Sequence, residues 1–564
     1  MSIADKPLST LVRNEVRRNV LQVHPDDNVL VALISLKAGE EVSGHQGTIS
    51  LVSSVPAKHK FATANLAAGD AIIMYGISIG RAVEPIRRGE LLTTRNVRHY
   101  AAAVEGKSRS REWTAPDVSR WRQRSFLGYH RADGQAGTRN YWLVIPLVFC
   151  ENRNVAVLKQ AFEEELGYAQ PPVYRNQVAK LVELYKQGKI SDLSRQAGER
   201  ADAGRTQNKV FPNVDGIKFL SHEGGCGGTR QDAGGLVGLL AGYIHHPNVA
   251  GATILSLGCQ NAQAGLLRRE ILKRNPGFEK PLIVLEQQQS GSEFAMVSQA
   301  IRQTFLGLVE ANKCERRPAS LCNLCVGLKC GGSDGFSGIS ANPAIGHTAD
   351  LIAALGGKTI LSEFPELCGV EQELADRAAT VQIAESFLRL MREYNARAQA
   401  VGSGFDMNPS PGNIRDGLIT DAMKSAGAAK KGGTSPVNAV LDFPGYATAA
   451  GLNLLCTPGN DVESVTAQVG SGANVVLFTT GLGTPTGNPI APIVKISTNS
   501  ELAERMLDII DLDAGPIISG EKTVEQTGEE ILELVTRVAS GEIKTKAELL
   551  AQDDFIPWKR GVSL

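Results

Sequence analysis

The chain has 564 residues, with 59 basic and 59 acidic side chains and a formal net charge of zero. This balance argues against a nucleic-acid-binding surface, which needs a basic excess, and the lack of an 18-residue apolar run argues against a membrane span. The N-terminal residues carry no signal-peptide pattern, and the nine cysteines are scattered along the chain. We therefore expect a cytoplasmic protein of roughly three or four domains, without nucleic-acid or membrane partners.

The first hundred residues predict a small β-rich domain. Residues 1–18 are polar and are interpreted as an arm, whereas short β-prone runs separated by turn residues fill residues 19–100. Residues 101–125 are polar and mixed in charge, which is typical of a linker or a packed strap. Two histidines of this domain, His24 and His59, are either solvated surface groups or metal ligands.

Buried strands that end in polar or thiol groups recur through the rest of the chain. Apolar runs lead directly to Cys150, to Cys259 and to Ser362-Glu363. Continuous apolar runs are typical of parallel strands, which are buried on both faces. Because the ligands of open α/β sheets bind outside the carboxyl ends of the strands, these groups are candidate site residues.

This recurrence predicts the α/β fold class, in which the small β-rich domain is followed by two Rossmann-like α/β domains. The first is expected at residues 126–400 and the second at residues 401–564, with a charged helical insertion at about residues 165–213. Because residues 101–125 separate two composition regimes, we expect residues 126–564 to fold without the N-terminal domain.

A glycine-rich stretch at residues 329–343, with the sequence KCGGSDGFSGISANP, is the strongest candidate site. Its glycines let the backbone turn sharply and let a ligand approach main-chain N–H groups. A helix-compatible run follows, so the turn is predicted to open a helix, as anion-binding loops do. A tight connecting loop is the alternative interpretation. The crowding of a thiol, hydroxyls, a carboxylate and an amide favours a functional site that includes Cys330, Ser333, Asp334 and Asn342.

Short motifs in a fixed order run from about His24 to the C-terminus. They include His24-x-x-Asp27-Asn28, His59-Lys60-Phe61, Asp133-Gly134-x-x-Gly137-x-Arg139-Asn140, His222-x-x-Gly225-Cys226, Gly258-Cys259, Cys330-Gly331-Gly332-Ser333-Asp334-Gly335, Asn342-Pro343 and Ser410-Pro411-Gly412-Asn413. In these motifs the chain resembles the altronate and galactarate dehydratases, which are lyases that remove water from sugar acids. The resemblance implies an N-terminal SAF domain, two α/β domains and a divalent metal, commonly Fe²⁺, with Mn²⁺ or an iron–sulfur cluster as alternatives.

Two features depart from the family pattern. Where its members often carry His-x-His-Asn, this chain has Thr93-Thr94-Arg95-Asn96, and the insertion at residues 165–213 is longer. The substrate therefore stays open among an altronate-type aldonate, a galactarate-type aldarate and sulfolactate, from which a related lyase expels sulfite. A non-catalytic sugar-acid-binding protein is the alternative from another class.

Dehydration of a sugar acid needs a base for the proton beside the carboxylate and an acid for the leaving hydroxyl. We predict His222 for one of these roles, with Asp334 and Glu363 as alternatives. Arg139 is predicted to pair with the substrate carboxylate, and the other expected substrate contacts are Asn140, Ser333, Asn342 and Asn413. The expected partner is thus a small-molecule sugar acid, and the enzyme is a candidate homo-oligomer.

The metal has two candidate positions. Cys226, Cys259 and Cys330 each lie in a glycine-rich strand-end loop, and three thiolates could hold iron or an iron–sulfur cluster with one open iron. The rival site consists of His24 and His59. Free cysteines are also frequently small buried residues without a ligand, which is the alternative for all three thiols.

Overall fold

The N-terminal region is β-rich, as the sequence predicts. Our computed structural model of the protein describes residues 19–44, 47–101, 103–109, 112–171, 173–194, 209–561 and 563. The predicted arm at residues 1–18 lies outside these described residues, as do residues 195–208 of the predicted insertion. Across the described ranges, no helix combines the length and the apolar character needed to cross a membrane.

Eight short strands form three antiparallel sheets in this N-terminal region. The strands are β1 (Val20–Leu21), β2 (Val29–Ala32), β3 (Glu41–Gly44), β4 (Gly47–Ser50), β5 (Lys60–Ala62), β6 (Ala71–Met74), β7 (Ile77–Ala82) and β8 (Val97–Arg98). The sheets have the orders β1-β2-β5, β3-β4 and β6-β7-β8. Most strands pair with the next strand along the chain, whereas β2 also pairs with β5 across the β3-β4 hairpin.

The central region is built on a parallel sheet of four strands. Its strands and their neighbours are β9 (Ser125–His130), β10 (Ala136–Gly137), β11 (Tyr141–Pro146), β12 (Gly216–Phe219), β13 (Val249–Ser256), β14 (Leu282–Glu286) and β15 (Arg316–Ser320). The parallel sheet has the order β12-β11-β13-β14, and β10-β9-β15 form an antiparallel sheet. Every residue of β11 and β13 is buried, which explains why these segments are continuously apolar.

A larger parallel sheet of seven strands follows. It contains β16 (Cys325–Cys330), β17 (Lys358–Leu361), β18 (Val437–Leu441), β19 (Gly451–Leu455), β20 (Val475–Thr480), β21 (Ile493–Ser497) and β22 (Leu512–Asp513). The order is β18-β19-β17-β16-β20-β21-β22. Two of its strands precede residue 400 and five follow it, so one hydrogen-bonded sheet crosses the boundary that we predict between residues 400 and 401. The strand order reverses beside β16, which is where such sheets bind ligands.

Helices cover both parallel sheets. Several begin after an N-cap side chain that accepts a backbone hydrogen bond, as at Thr229, Ser292 and Asn460. The helices are α1 (Asn152–Glu165), α2 (Val173–Lys186), α3 (Ile190–Leu193), α4 (Arg230–His245), α5 (Ala264–Arg274), α6 (Glu293–Ala311), α7 (Ala341–Ala354), α8 (Glu371–Arg377), α9 (Val381–Ala400), α10 (Pro411–Arg415), α11 (Asp421–Ala429), α12 (Asp461–Gly470), α13 (Ser500–Arg505), α14 (Pro516–Ser519), α15 (Val524–Ala539) and α16 (Lys546–Leu549). Of these, α2 and α3 lie within the predicted insertion.

The N-terminal region shares a hydrophobic core with the seven-stranded sheet. Met74 and Ile79 belong to the same buried cluster as Leu328 of β16 and Phe336. The hydroxyl of Thr420, the N-cap of α11, donates a hydrogen bond to the carbonyl oxygen of Ile79 at 2.7 Å. Apolar packing and a side-chain hydrogen bond therefore both join the small β-rich region to the rest of the protein.

The segment at residues 101–125 is a packed strap over its described part. Lys107 Nζ donates hydrogen bonds to the carbonyl oxygens of Asp376 and Ala378 at 2.8 and 2.7 Å. Trp121 is fully buried in the large core, and Arg124 pairs with Glu533 at 2.7 Å. Of the two interpretations that the sequence leaves open, the structure favours the strap.

These contacts reverse the expectation that residues 126–564 fold on their own. Without residues 1–125, the apolar surface around Phe336 and α11 is exposed, so we expect this fragment to be insoluble or to melt at least about 5 °C below the full chain. Melting curves and size-exclusion chromatography measure the difference. The matched control is the full chain cut at one engineered protease site in the strap, which keeps the interface. A monodisperse fragment with the melting temperature of the full chain would contradict this expectation.

Candidate functional site

The glycine-rich stretch lies at the carboxyl edge of the seven-stranded sheet. It follows β16, whose six residues are all buried, including Lys329 and Cys330, and it leads into α7, which confirms the predicted helix start. The backbone N–H of Gly331 donates to the carbonyl oxygen of Thr479 at 3.0 Å, which holds the turn against the end of β20. The turn therefore occupies the place where the strand order reverses.

A group of seven ionisable side chains, six of them buried, packs beneath this turn. Lys431 Nζ lies 2.8 Å from Cys330 Sγ and 2.6 Å from Glu363 Oε2. Lys329 pairs with Glu363 Oε1 and, at 2.9 Å, with Asp461 Oδ1. Lys424 Nζ lies 2.8 Å from Glu366 Oε1. We call this group the buried lysine cluster; its members are Lys329, Cys330, Glu363, Glu366, Lys424, Lys431 and Asp461.

The charges of the buried lysine cluster stabilise one another. Burial raises the pKa of the Cys330 thiol to about 11, although Lys431 acts in the opposite direction. Burial alone would also raise the pKa of Glu366, but Lys424, Lys329 and Lys431 lower it to about 2. Burial alone would lower the pKa of Lys431, but Cys330 and Glu363 raise it above its ordinary value. The result is a set of ion-paired lysines around the Cys330 sulfur.

The N-terminal region contributes two more lysines on the other side of the turn. Lys58 Nζ lies 3.0 Å from Asp334 Oδ2 and 3.2 Å from Asp416 Oδ1. Lys60 is buried, and its Nζ donates to the carbonyl oxygens of Lys58 and Gly417 at 2.9 and 2.8 Å. Burial lowers the pKa of Lys60 to about 7, although Asp334 acts in the opposite direction. Burial therefore brings the pKa of this ammonium group into the neutral range.

Asp334 is held in place from several directions. Its Oδ1 accepts hydrogen bonds from the Ser337 hydroxyl at 3.0 Å and from the backbone N–H of Phe336 at 3.2 Å. Its Oδ2 accepts from Thr498 Oγ1 at 3.1 Å and from Asn499 Nδ2 at 3.3 Å, in addition to the Lys58 ion pair. Asp334 thus anchors the lysine of the N-terminal region to the turn.

Backbone strain concentrates at the same place. Four described non-glycine residues have a positive φ, and three of them lie around this turn: Lys58, Tyr75 and Glu363, at 75°, 60° and 68°. The hydroxyl of Tyr75 packs against Gly338 of the glycine-rich stretch. Such conformations cost on the order of 1–3 kcal/mol each and persist where the surroundings enforce them, often at functional sites. Gly335 is also required here, because a Cβ at this position would clash with the backbone carbonyl oxygen of Lys58.

The five lysines around the turn escape prediction from the sequence, because lysine is normally an exposed residue. The usable signal is position. Lys329 lies inside a strand whose other residues are apolar or glycine and cysteine, and Lys60 begins β5 in a strand that is buried throughout. A lysine in such a strand needs a buried partner, which is itself a pointer to a site.

Three predicted substrate contacts, Ser333, Asn342 and Asn413, lie at the turn. The side-chain amides of the two asparagines are engaged within the protein. Asn342 Nδ2 donates to the carbonyl oxygen of Gly427 at 3.0 Å, and its Oδ1 accepts from Thr479 Oγ1 at 2.6 Å. Asn413 Nδ2 donates to the carbonyl oxygen of Ser333 at 2.7 Å, and its Oδ1 belongs to the capping box of α10. These two asparagines shape the turn, and Ser333 is buried within it.

His222, the predicted acid or base, follows β12 on the other sheet. Its Nε2 lies 2.7 Å from the carbonyl oxygen of Pro146, and its Nδ1 accepts from the backbone N–H of Gly224 at 3.1 Å. Burial lowers its pKa. Both ring nitrogens thus contact the backbone in this arrangement, and the role of His222 as acid or base stays a prediction. His222 and Cys226 line a cavity of about 650 Å³ that also contains Glu463 of α12.

The structure separates the three thiols that we predict as metal ligands. Cys330 is buried under the seven-stranded sheet edge, whereas Cys226 and Cys259 are exposed at strand ends of the four-stranded sheet, as is Cys150. The shared site of Cys226, Cys259 and Cys330 is therefore wrong. In the described part of the chain, two groups bring three potential ligand atoms within 4.8 Å of one another: Cys330, Glu363 and Glu366, and His99, Cys368 and Asp421.

The rival metal site at His24 and His59 is not among the groups of three possible ligands that the described residues form. His24 Nδ1 accepts from the backbone N–H of Asp26 at 3.2 Å. His59 Nδ1 lies 3.2 Å from the carbonyl oxygen of Ala57, and burial lowers its pKa. Neither histidine belongs to a described group of three donors.

Arg139 pairs with a carboxylate of the protein. Its Nε and Nη2 lie 2.7 and 3.0 Å from the two oxygens of Glu548, and both side chains are largely withdrawn from solvent. Asn140 accepts a hydrogen bond from Arg131 at 2.9 Å and donates to the carbonyl oxygen of Asn213 at 2.8 Å. The bidentate geometry that we predict for the substrate is thus used inside the fold, and the roles of Arg139 and Asn140 as substrate contacts stay predictions.

Comparison with known proteins gives a consistent result along the whole chain. Family models match residues 18–100 as the altronate/galactarate dehydratase SAF domain, residues 128–312 as the D-galactarate dehydratase/altronate hydrolase second domain, and residues 321–563 as the D-galactarate/altronate dehydratase C-terminal domain. The chain is 32% identical to altronate dehydratase of Escherichia coli K12 over 96% of this chain and 99% of that protein. It is 31% identical to altronate dehydratase of Bacillus subtilis 168 over 93% and 96%, and 30% identical to galactarate dehydratase (L-threo-forming) of E. coli K12 over 93% of each chain.

Replacement of Arg139 by Met tests whether this arginine is structural. Because Glu548 would stay partly buried without its partner, we expect a loss of about 3–5 kcal/mol in the free energy of unfolding and an unchanged KM in the enzyme that remains folded. The matched control is Arg120→Met, whose ion pair with Glu529 is exposed and should contribute at most about 1 kcal/mol. Denaturant unfolding and steady-state kinetics measure both quantities. Normal stability with a raised KM would restore Arg139 as a substrate contact.

Proposed function

The chain belongs to the altronate and galactarate dehydratase family, and we propose that it removes water from an altronate-type sugar acid to give a 2-keto-3-deoxy sugar acid. The observation that carries the proposal is the similarity to two altronate dehydratases over at least 93% of each chain. A galactarate-type aldarate is the second candidate substrate, because a galactarate dehydratase matches over a comparable length.

The reaction demands a site rich in fixed positive charge. The proton beside a carboxylate is very weakly acidic, and its removal gives an enediolate-like anion that preorganised cations in a water-poor site stabilise. The turn after β16 is surrounded by such cations, four of which are buried. They come from three regions of the fold and are Lys58, Lys60, Lys329, Lys424 and Lys431.

Lys60 is the proposed base. Its pKa of about 7 leaves a large fraction of the amine unprotonated at neutral pH, which suits a group that must accept a proton.

Lys431, whose ammonium group is shared by Cys330 and Glu363, is the proposed acid for the leaving hydroxyl. Glu363 and Asp334, which the sequence suggests as catalytic groups, then hold lysines in position. Because these groups are buried, substrate entry requires the N-terminal region to move away from the turn.

A divalent metal is a further part of the proposal, with Fe²⁺ first and Mn²⁺ or an iron–sulfur cluster as alternatives. A metal ion would supply a Lewis acid for the substrate oxygens. The donors of Cys330, Glu363 and Glu366 are chemically suitable, but ammonium groups of Lys329, Lys424 and Lys431 already pair with them. A cation there would have to displace these groups. The cluster therefore does not fit a metal in this arrangement.

A panel of aldonates, aldarates and sulfolactate tests the proposed activity. We expect a 2-keto-3-deoxy acid from altronate under reducing conditions with Fe²⁺, loss of activity after treatment with a strong chelator, and recovery with Fe²⁺. Sulfite release from sulfolactate is followed in parallel. If no sugar acid gives a product, the proposed function is wrong. If the metal-free protein is fully active, only the proposed requirement for a metal is wrong.

The pH dependence of the reaction tests Lys60. Because the neutral amine is the active form, kcat/KM should rise with pH through about 7, and Lys60→Met should abolish this limb and lower kcat at least about 10²-fold. Lys60→Arg should also fail, since arginine stays charged. Lys37→Met, at an exposed lysine of the same region, is the control and should leave the profile unchanged. An unaltered acid limb in Lys60→Met would exclude Lys60 as the base.

The same substitution has a consequence for stability. The pKa of Lys60 is about 7 in the folded protein, below its ordinary value of 10.5. Burial of the charged form therefore lowers the free energy of unfolding, and this penalty is complete below pH 7. The penalty fades as pH rises from 7 to 10.5. Lys60→Met should therefore raise the melting temperature at pH 6, which also shows that the variant is folded.

A further inference from the structure

A group of three metal-ligand types lies apart from the buried lysine cluster. His99 follows β8 of the N-terminal region, Cys368 follows the turn after β17, and Asp421 is the first residue of α11. Their donor atoms lie within 4.8 Å of one another. Three distant segments of the chain thus place an imidazole, a thiol and a carboxyl in one spot.

The carboxyl of Asp421 is an unusual member of this group. The side chain is 1% exposed, and the hydrogen-bonding group beside its carboxyl is the Cys368 thiol, a second member of the group. Burial raises its pKa to about 9, with the Cys368 thiol and Lys424 acting in the opposite direction. A buried carboxyl beside a weak thiol donor is costly, and a cation between these donors would remove that cost.

The neighbouring ammonium group of Lys424 is directed away from these donors. Lys424, one turn after Asp421 in α11, directs its Nζ to Glu366 at 2.8 Å and to Asn408 at 2.7 Å. The backbone N–H of Ala422 meets His99 Nδ1 at 3.3 Å, a long hydrogen bond that places the ring beside the start of α11. This is the reverse of the Cys330 group, where lysines pair with the donors.

We propose that His99, Cys368 and Asp421 bind a divalent transition-metal ion, Fe²⁺ or Zn²⁺. A neutral imidazole, a thiolate and a carboxylate balance a charge of +2, and a sulfur–nitrogen–oxygen donor set selects such ions over Mg²⁺ or Ca²⁺. His99 and Cys368 also line a cavity of about 380 Å³, which provides room for a water molecule or a small ligand as a fourth ligand. The site does not depend on the proposed reaction, since it is detected without turnover.

Cobalt binding tests the site directly. Metal-free full-length protein is titrated with Co²⁺, and the ultraviolet absorption of the thiolate–cobalt bond is recorded with the metal content per chain. We expect one bound ion with this absorption in the wild type. In Cys368→Ser the absorption should be lost, and in Asp421→Asn the affinity should fall at least tenfold. Both variants should keep a cooperative melting transition.

Two cysteine controls identify the thiol. Cys314→Ser, at another half-buried cysteine, should bind cobalt like the wild type, and so should Cys330→Ser. If Cys330→Ser alone abolishes the absorption, the ion belongs to the buried lysine cluster and the proposal is wrong. Equal binding by wild type, Cys368→Ser and Asp421→Asn also overturns it. If Cys368→Ser does not fold, Asp421→Asn provides the test. Added Co²⁺ should raise the melting temperature of the wild type but not that of Asp421→Asn.

Discussion

The arrangement of charge at the end of β16 constrains the rest of the structure. Lys329 and Cys330 are buried at the carboxyl end of a central strand, where an isolated ammonium group would be strongly destabilising. Each ammonium group therefore needs a carboxylate, and these come from other segments: Glu363 and Glu366 follow β17, and Asp461 begins α12. The loops of the seven-stranded sheet must converge on one point for this compensation to hold. Removal of one partner would leave another charge buried and unpaired.

The same requirement explains the position of the N-terminal region. Lys58 and Lys60 complete the charge around the turn, and Gly335 permits the close approach of the two parts. The small β-rich region thus forms one wall of the site, in addition to sharing its core with the larger sheet. In the proposed reaction it also supplies the base, so docking of this region and catalysis depend on the same contacts.

The sequence predicts this site in part. The turn, its strand and its helix could be predicted, and Cys330, Asp334 and Glu363 meet around it, because strand-end position and glycine content are local signals. The lysines could not be predicted as site residues, because their burial depends on pairing between distant segments of the chain. His222 and Arg139 are chemically plausible catalytic groups, yet they bond to Pro146 and Glu548, and only tertiary contacts reveal such partners. The boundary at residue 400 fails for the same reason: β16 and β17 pair with later strands.

A crystal structure with an unreactive altronate analogue tests the central claim most directly. The claim predicts that the carboxylate of the analogue binds beside the turn after β16, within about 3.2 Å of the Nζ of Lys60 or Lys431, with the N-terminal region shifted to admit it. An analogue bound instead in the cavity beside His222 and Cys226, with the turn and its lysines unchanged, would contradict the account and place the reaction at the four-stranded sheet.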